Sequence, residues 1–301
     1  MDTIKSHLRI DLVDEVRKIT QLISRKFQQL NRKTALVGLS GGLDSSLAAV
    51  LTAKSLGTEN LVCYYLPIRG SKPLHRKHAH LLADEFRLHL ETIRITPVLR
   101  SLKIYSLLPL DIFLTRGLRN WAVEYGKKRF LTASKGEFLN MRLSGTGGSW
   151  AARGNAYASS KHRVRSVLLY REAERMLGMV VGAANRTEWL TGTFTQFGCD
   201  HIADVMPILH LYRSQLEVLA THLHLPEEIR KKTADPDVLP GLDNKSGLLG
   251  SFEIADQILW GIENDIPAAE LAMRFGQERT LYIRTLMRKS AYYRETPYSL
   301  I

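Results

Sequence analysis

The stretch ALVGLSGGLDSS, residues 35–46, decides the fold, because an apolar run leads directly into a turn rich in glycine and serine. Residues 35–39 carry no charge, as expected for a strand that is buried on both faces of a sheet. Residues 44–56 have a helical pattern, and Gly57 stands where a helix C-cap is expected. The stretch therefore predicts a buried strand, a tight loop and a helix in succession.

The same alternation of strands and helices continues along the chain. It predicts an α/β fold with a doubly wound, Rossmann-like parallel sheet and helices on both faces. We predict a single domain over 1–301, with a core at about 32–210 and a helical C-terminal extension over 211–301. Further strands are predicted at 61–66, 90–95 and 178–182, and further helices at 4–30, 74–86, 164–177, 211–222, 226–231 and 251–264.

Residues 127–156 do not follow this alternation. They have no sustained hydrophobic period and contain the Gly/Ser-rich segment SGTGGS at 144–149. We therefore predict a long loop there, and long loops in compact domains are commonly functional. Whether this loop acts as a lid over a substrate is left open by the sequence.

The composition excludes several classes of protein. The 301 residues include 42 Lys+Arg and 30 Asp+Glu, which gives a net charge of +12 with histidine neutral. This excess fits a polyanionic ligand, but no compact basic run resembles a nucleic-acid-binding tail. No apolar run approaches the ~18–20 residues of a membrane-spanning helix, and the N-terminus lacks a signal-peptide core. Two cysteines form neither a disulfide framework nor a metal site, so we expect a reducing cytoplasm.

The loop over residues 40–46 has the chemistry of a phosphate-binding site. Glycines let backbone N–H groups approach an anion closely, and the following helix adds the positive end of its dipole. Asp44 would repel bare phosphate, so it fits a Mg²⁺ ligand beside pyrophosphate. A Walker A loop would need a lysine, which this loop lacks. The simpler alternative is a glycine turn with a capping serine. The candidate ATP ligands in the loop are Ser40, Gly41, Gly42, Asp44, Ser45 and Ser46.

The order of strand, SGGLDSS loop and helix resembles the N-type ATP pyrophosphatases, which cleave ATP to AMP and pyrophosphate. The remaining motifs resemble the NAD synthetases within that family. Because no glutaminase segment precedes the loop, the ammonia-dependent form is the one that the chain resembles. The motifs are GAANRTE at 182–188, GTFTQFG at 192–198, ADVMPI at 203–208, LYRSQ at 211–215, KTAD at 232–235 and KHRVR at 161–165.

The resemblance implies a ligase that adenylates the carboxylate of deamido-NAD with MgATP and then amidates it with ammonia. It also implies a homodimer with small-molecule substrates, and neither a membrane nor nucleic acid as partner. By position in the motifs, it implies catalytic roles for Asp44 and Asp204 and metal binding by Asp44 and Glu188. The motifs add ATP contacts at Arg213 and Thr233 and substrate contacts at Arg163, Gln196, Asp204, Tyr292 and Tyr293.

The half of the sequence that resembles the nucleotide-substrate site departs from the family. Gln196 stands where the family has a lysine, and Tyr292 and Tyr293 stand where it has histidine and lysine. Among the ATP contacts, Arg213 replaces a lysine and Ala183 a threonine. Two further activities therefore stay open: amidation of another carboxylate, and RNA modification by an ATP pyrophosphatase, which usually needs paired, exposed cysteines.

Structural alternatives also stay open for several of the candidate residues. Glu188 could be an acid favoured at a helix start by the dipole, and Asp204 could cap a turn. Tyr292 and Tyr293 could stack on an aromatic ring of the substrate or pack in a dimer interface. The sequence alone does not choose between these interpretations.

Overall fold

A parallel sheet of four strands forms the centre of the described structure. The computed structural model describes residues 3–108, 137–146, 148–199, 201–232, 249 and 251–295. The strands lie in the order β3-β2-β1-β4, and Leu36 of β1 is paired with Val62 on one side and Val180 on the other. This arrangement confirms the predicted parallel α/β fold. The strands are β1 (Thr34–Gly38), β2 (Leu61–Tyr65), β3 (His89–Thr92) and β4 (Gly178–Val181).

Helices account for most of the remaining described residues. The predicted helix over 4–30 is in fact two helices, because the Asp11 carboxylate accepts the N–H groups of Val13 and Asp14 and starts a new one. The helices are α1 (Thr3–His7), α2 (Leu12–Gln29), α3 (Leu43–Leu56), α4 (Pro73–Phe86), α5 (Thr96–Ser101), α6 (Ile104–Leu107), α7 (Glu137–Ser144), α8 (Gly148–Met176), α9 (Arg186–Thr191), α10 (Arg213–His222), α11 (Glu227–Arg230), α12 (Phe252–Glu263), α13 (Ala268–Phe275), α14 (Gln277–Lys289) and α15 (Ala291–Arg294).

Both faces of the sheet are covered, as the uncharged strands predict. Successive residues of a strand point to opposite faces. Ala35 and Val37 pack in one cluster with α2, α3, α4 and α10, whereas Leu36 packs in a second cluster with α5, α6 and α8. All three side chains are fully buried. The edge strand β3 is only partly buried, and it is shorter than the strand predicted at 90–95.

The predicted loop over 127–156 is wrong for the part that the structure describes. Residues 137–144 form α7, and α8 begins at Gly148, well before the predicted helix start at residue 164. The glycines outweighed a real helical signal, because alanine is the best helix former and three alanines lie between 151 and 156. Tyr157, Lys161 and Val164 are buried at helical spacing and carry the same face onward.

The helical C-terminal extension forms a third cluster of buried side chains beside the sheet. Leu139 of α7 and Leu190 of α9 pack there against Ile258, Leu259 and Ile283 of α12 and α14. The extension is thus joined to helices that follow the sheet strands. None of the helices in the described ranges is both long and apolar enough to cross a membrane. The organisation of 1–301 as one domain stays a prediction.

Candidate active site

The candidate site lies where the strand order reverses. The chain runs from β1 outward through β2 to β3 and then returns to add β4 on the other side of β1. The segments that follow β1 and β4 therefore leave the sheet side by side at its carboxyl edge. In open α/β sheets this switch point is where ligands bind. The predicted phosphate loop follows β1, and the GAANRTE motif follows β4.

The loop is held in shape by its own serines. The Ser45 hydroxyl lies 2.9 Å from the Ser40 hydroxyl and accepts the Ser40 N–H at 3.1 Å. The Gly42 N–H donates to the Ser40 hydroxyl at 3.2 Å. Ser40 is exposed, whereas Ser46 is fully buried and donates to the Gly42 carbonyl at 2.7 Å. Ser40 is thus at the exposed mouth of the loop, the buried Ser45 lies behind it, and Ser46 points into the first turn of α3.

Gly41 is required by both backbone conformation and space. Its φ is +71°, in the left-handed region, and a Cβ there would lie 2.3 Å from the His75 carbonyl oxygen. Behind the loop, the Lys232 ammonium donates to the Gly41 carbonyl at 2.9 Å, and the buried ring of His78 faces the same carbonyl. Burial and the nearby Lys232 charge lower the pKa of His78. Two nitrogen-bearing side chains thus support one peptide unit of the loop.

Asp44 is held by an ion pair and a side-chain amide. Nη1 of Arg213 lies 3.0 and 2.9 Å from its two carboxylate oxygens, and Nδ2 of Asn185 donates to Oδ1 at 3.0 Å. The Arg213 side chain is only 6% exposed, against 25% for Asp44. Although burial disfavours the cation, the carboxylates of Asp44, Glu217 and Glu188 raise the pKa of Arg213. The guanidinium is therefore a permanent buried charge beside the loop.

Glu188 reaches the same place through the first turn of α9. Asn185 caps this helix, its side chain accepting the Glu188 N–H at 2.9 Å, and the Glu188 carboxylate faces the Asn185 N–H in return. Because the cap residue also binds Asp44, the two candidate metal ligands are attached to one asparagine. Asp44 and Glu188, which come from separate loops, therefore contact the same residue, as expected. Glu188 also lies in the first turn of α9, as the alternative interpretation predicted.

The donors of the site suit a magnesium ion bound together with phosphate. Carboxylate oxygens are hard ligands, and Mg²⁺ is commonly bound through one or two of them plus substrate phosphates and water. In the described ranges, no group of three or more His, Cys, Asp and Glu side chains could hold a metal ion by itself. Asp44 and Glu188 fit this open type of site better than a closed cage of protein ligands.

The candidate substrate residues fall in two places. Arg163 is exposed on α8 and donates from Nε to the Gln196 carbonyl at 3.1 Å, so these two predicted residues do meet. Asp204 is exposed, but Oδ2 accepts the Val180 N–H of β4 at 2.7 Å, and Oδ1 faces the Tyr170 hydroxyl at 3.4 Å. The Asp204 carboxylate thus binds the backbone of the adjacent strand β4, as a capping acid would. Asp204 nevertheless remains exposed to solvent.

Tyr292 and Tyr293 pack within the chain. Their rings meet edge to face at 4.5 Å, Tyr293 packs on Phe194 at 5.6 Å, and the Tyr292 hydroxyl donates to the Leu143 carbonyl at 3.2 Å. Tyr293 is buried and Tyr292 is 36% exposed. Their described contacts are therefore with the third cluster. Thr233, the remaining predicted ATP contact, lies outside the described residues.

Sequence reasoning missed Asn185, Lys232 and His78 as parts of the site. Asn185 had a signal, because asparagine followed three residues later by glutamate is the pattern of a capping box. Lys232 lies in the KTAD motif, but neither Lys232 nor His78 had a signal for contact with Gly41, because packing brings each to Gly41 from a distant part of the sequence.

A doubly wound parallel sheet with a Gly/Ser loop and paired carboxylates at its switch point defines an α/β protein of the nucleotide-binding class. Comparison with known families is more specific. The model of the NAD synthase family matches residues 15–107 and 144–297, and the chain belongs to this family.

Individual relatives agree with this assignment. The chain is 36% identical over 247 residues to the NH(3)-dependent NAD(+) synthetase of Thermotoga maritima, covering 82% of this chain and 86% of that protein. It is 32% identical over 268 residues to the enzyme of the same name from Coprothermobacter proteolyticus, covering 87% and 89%. The family resemblance of the motifs is confirmed.

Solved structures share the fold. The NH3-dependent NAD synthetase of Campylobacter jejuni, solved with a nitrate ion, has a TM-score of 0.66 at 22% identity and covers 97% of this chain and 100% of that one. The NMN synthetase of Francisella tularensis has a TM-score of 0.67 at 21% identity, covering 97% and 99%. At these identities the likeness shows the fold alone.

Proposed function

We propose that this protein is an ammonia-dependent NAD synthetase, which activates the carboxylate of deamido-NAD with ATP and converts it to the amide of NAD. Membership of the NAD synthase family and the names of relatives at 32% and 36% identity support this activity. The observation that carries the proposal is the meeting of the SGGLDSS loop with Asn185 and Glu188 at the switch point.

The first step is transfer of AMP to the substrate. A carboxylate oxygen of deamido-NAD forms a bond to the α-phosphorus of ATP, and the bond from this phosphorus to the oxygen bridging the α- and β-phosphates breaks to release pyrophosphate. The hydroxyls of Ser40 and Ser45 and the backbone of the loop would hold the phosphates. The buried guanidinium of Arg213, which lies beside the loop, would attract the negative charge of the phosphates. The loop lacks the lysine of a Walker A motif, so we expect AMP and pyrophosphate as products.

Asp44 and Glu188 would hold the magnesium ion, which when bound neutralises phosphate charge. Before ATP binds, Arg213 and Asn185 fix the Asp44 carboxylate in one orientation, which lowers the cost of arranging it for a ligand. In the second step the ammonia nitrogen attacks the acyl carbon, AMP leaves with the electron pair of the C–O bond, and the nitrogen loses a proton.

The nucleotide substrate would lie toward Arg163, Gln196 and Asp204. Arg163 is an exposed cation, and Asp204 is an exposed residue held by two hydrogen bonds. We retain Thr233 as an ATP contact and Tyr292 and Tyr293 as substrate contacts by position in the motifs. We also propose a homodimer, for which analytical ultracentrifugation gives the mass.

The positions of the two cysteines fit this activity better than they fit RNA modification. Cys63 is fully buried in β2, and Cys199 is half-buried with its Sγ 3.5 Å from Nδ1 of His162, so the two cysteines are not the exposed pair that RNA modification usually needs. Two cysteines that are not joined in a disulfide fit the reducing cytoplasm in which we expect the protein to work.

The experiment combines MgATP, ammonium chloride and deamido-NAD and separates the nucleotides by chromatography. We expect equal amounts of NAD, AMP and pyrophosphate. Nicotinate mononucleotide, a smaller carboxylate, is tested in parallel. Turnover of this compound with none of deamido-NAD would favour the alternative substrate, and ADP as the main product would contradict the pyrophosphatase mechanism.

A further inference from the structure

Helix α12, in the C-terminal extension, carries two acidic side chains seven residues apart on one face. Asp256 contacts residues at the start of α9 and α10, and Glu263 contacts a second pair of residues at the same two helix starts. Neither acid belongs to the candidate ligand set of the site. Both nevertheless lie directly behind it.

Asp256 binds both helices through a closed set of hydrogen bonds. Its Oδ1 accepts the Thr187 hydroxyl at 2.5 Å, and its Oδ2 accepts the Ser214 N–H at 2.8 Å. The Thr187 oxygen in turn accepts the Arg213 N–H at 2.9 Å. Asp256 has no solvent exposure. One carboxylate therefore fixes the first turn of α9 relative to the first turn of α10.

Glu263, seven residues further along α12, makes a second connection between the starts of α9 and α10. Its carboxylate accepts hydrogen bonds from Arg186, the first residue of α9, and from the Tyr212 hydroxyl, at the N-cap of α10. A third contact from the same helix is aromatic, since the Arg213 guanidinium carbon lies 5.6 Å from the centre of the Phe252 ring.

The two helix starts are the ones that hold Asp44. Asn185 caps α9 and Arg213 begins α10, and each donates to the Asp44 carboxylate. The residues bound by α12 are their immediate or next neighbours in sequence. We infer that Asp256 is a positioning residue that, with Glu263, sets the spacing of α9 and α10 so that Asn185 and Arg213 meet on Asp44.

Burial raises the pKa of Asp256 to about 6, against the opposing effect of its bonds to Thr187 and Ser214. A buried carboxylate of this kind costs folding free energy unless it is well bonded. Its location between two helix N-termini, which favour an anion, fits a role in fixing those helices.

The test uses variants that cut the connection without replacing any candidate ligand of the site. Asp256→Asn keeps the shape, but its single amide oxygen accepts only one of the two donors. Thr187→Val removes the bridging hydroxyl, and Thr187→Ser restores it. Glu253→Gln is the matched control, because Glu253 lies on the same helix and pairs with Lys5 at the surface.

Two measurements are made on the folded full-length protein. The first is hydrogen exchange of the amides in residues 40–46, which none of the substituted side chains contacts in the described structure. The second is MgATP affinity by calorimetry. We expect Asp256→Asn and Thr187→Val to speed exchange and weaken affinity by about tenfold each, the order expected for one lost buried hydrogen-bond partner. Thr187→Ser and Glu253→Gln should match the wild type in both measurements.

Changes in melting temperature alone, with exchange at 40–46 and MgATP affinity unchanged in Asp256→Asn and Thr187→Val, would overturn the positioning role. This inference builds on the proposed function, but the two can fail separately. A wild-type protein that binds no MgATP would refute the proposed function, whereas the exchange of residues 40–46 would still decide whether α12 acts on the loop.

Discussion

The ion pair between Asp44 and Arg213 should make Asp44 important for folding stability as well as for the proposed activity. We expect Asp44→Asn to lower the free energy of unfolding, because it leaves the Arg213 guanidinium, 6% exposed, without its main countercharge. Removing one partner of a buried pair costs about 3–5 kcal/mol. Asp44 is 25% exposed, and Glu217 lies 3.8 Å from Nε of Arg213. These two features reduce our expectation to about 2–3 kcal/mol.

A double variant that also replaces Arg213 tests whether the unpaired guanidinium causes the loss of stability. In Asp44→Asn/Arg213→Met both charges are gone and the volume is nearly kept, so we expect stability to return to within about 1 kcal/mol of the wild type. Activity should not return. Loss of a carboxylate that clamps a metal costs about a hundredfold or more in rate in both variants.

Urea unfolding followed by tryptophan fluorescence measures the stabilities, and pyrophosphate release measures the rates. Glu217→Gln is the control, because this carboxylate is 55% exposed and its loss should cost less than about 1 kcal/mol. The reasoning is refuted if Asp44→Asn is as stable as the wild type, or if adding Arg213→Met lowers stability further.

Three further predictions concern the loop, the thiols and pH. Gly41→Ala should cost about 2–4 kcal/mol in urea unfolding, because of its positive φ and the overlap with the His75 carbonyl. Gly42→Ala should cost less, about 1 kcal/mol, because the φ of Gly42 is −101° and a Cβ there would meet only the Ser40 hydroxyl, at 3.2 Å, at a helix N-cap. Burial raises the pKa of Cys63 to about 12, so a thiol reagent at pH 8 should label Cys199 in the native protein and Cys63 only after unfolding. The pKa of Asp256 rises from 3.8 to about 6 on folding. The folded state binds more protons between these values, so the contribution of Asp256 to stability should fall by about 2 kcal/mol as pH rises from 4 to 6. This slope should be absent in Asp256→Asn, and equal slopes in both proteins would contradict the shift.

The sheet and the loop were predictable because their signals are local. Uncharged runs such as 35–39 identify buried strands, and the glycines directly after the strand predict the tight loop at 40–42 that leads into α3. The start of α8 was missed because Gly148 and Gly154 are loop signals, and they outweighed the helix propensity of the alanines that follow Gly148.

The support of the site was not predictable in the same way. Asp256 lies on the same helix as Glu253 and Glu263, so the sequence does not single it out, and its partners Thr187 and Ser214 come from two other helices. Lys232 reaches the Gly41 carbonyl across 191 positions of sequence. Such contacts depend on the packing of distant elements, which composition and periodicity do not encode. The sequence showed that Arg213 replaces a lysine of the family, but it did not show that Arg213 pairs with Asp44.

The three separate clusters of buried side chains have a consequence for how this protein can change over time. The phosphate loop rests on the sheet clusters, whereas Tyr293 belongs to the cluster of the C-terminal extension. Substitutions around Tyr293 can therefore accumulate in the extension without altering the side chains that pack beneath the loop at 40–46. Helix α12 limits this independence, because the same helix that contributes Ile258 to the third cluster also holds the first turns of α9 and α10 through Asp256. Substitutions on the surface of the extension are therefore less constrained than substitutions on the inner face of α12.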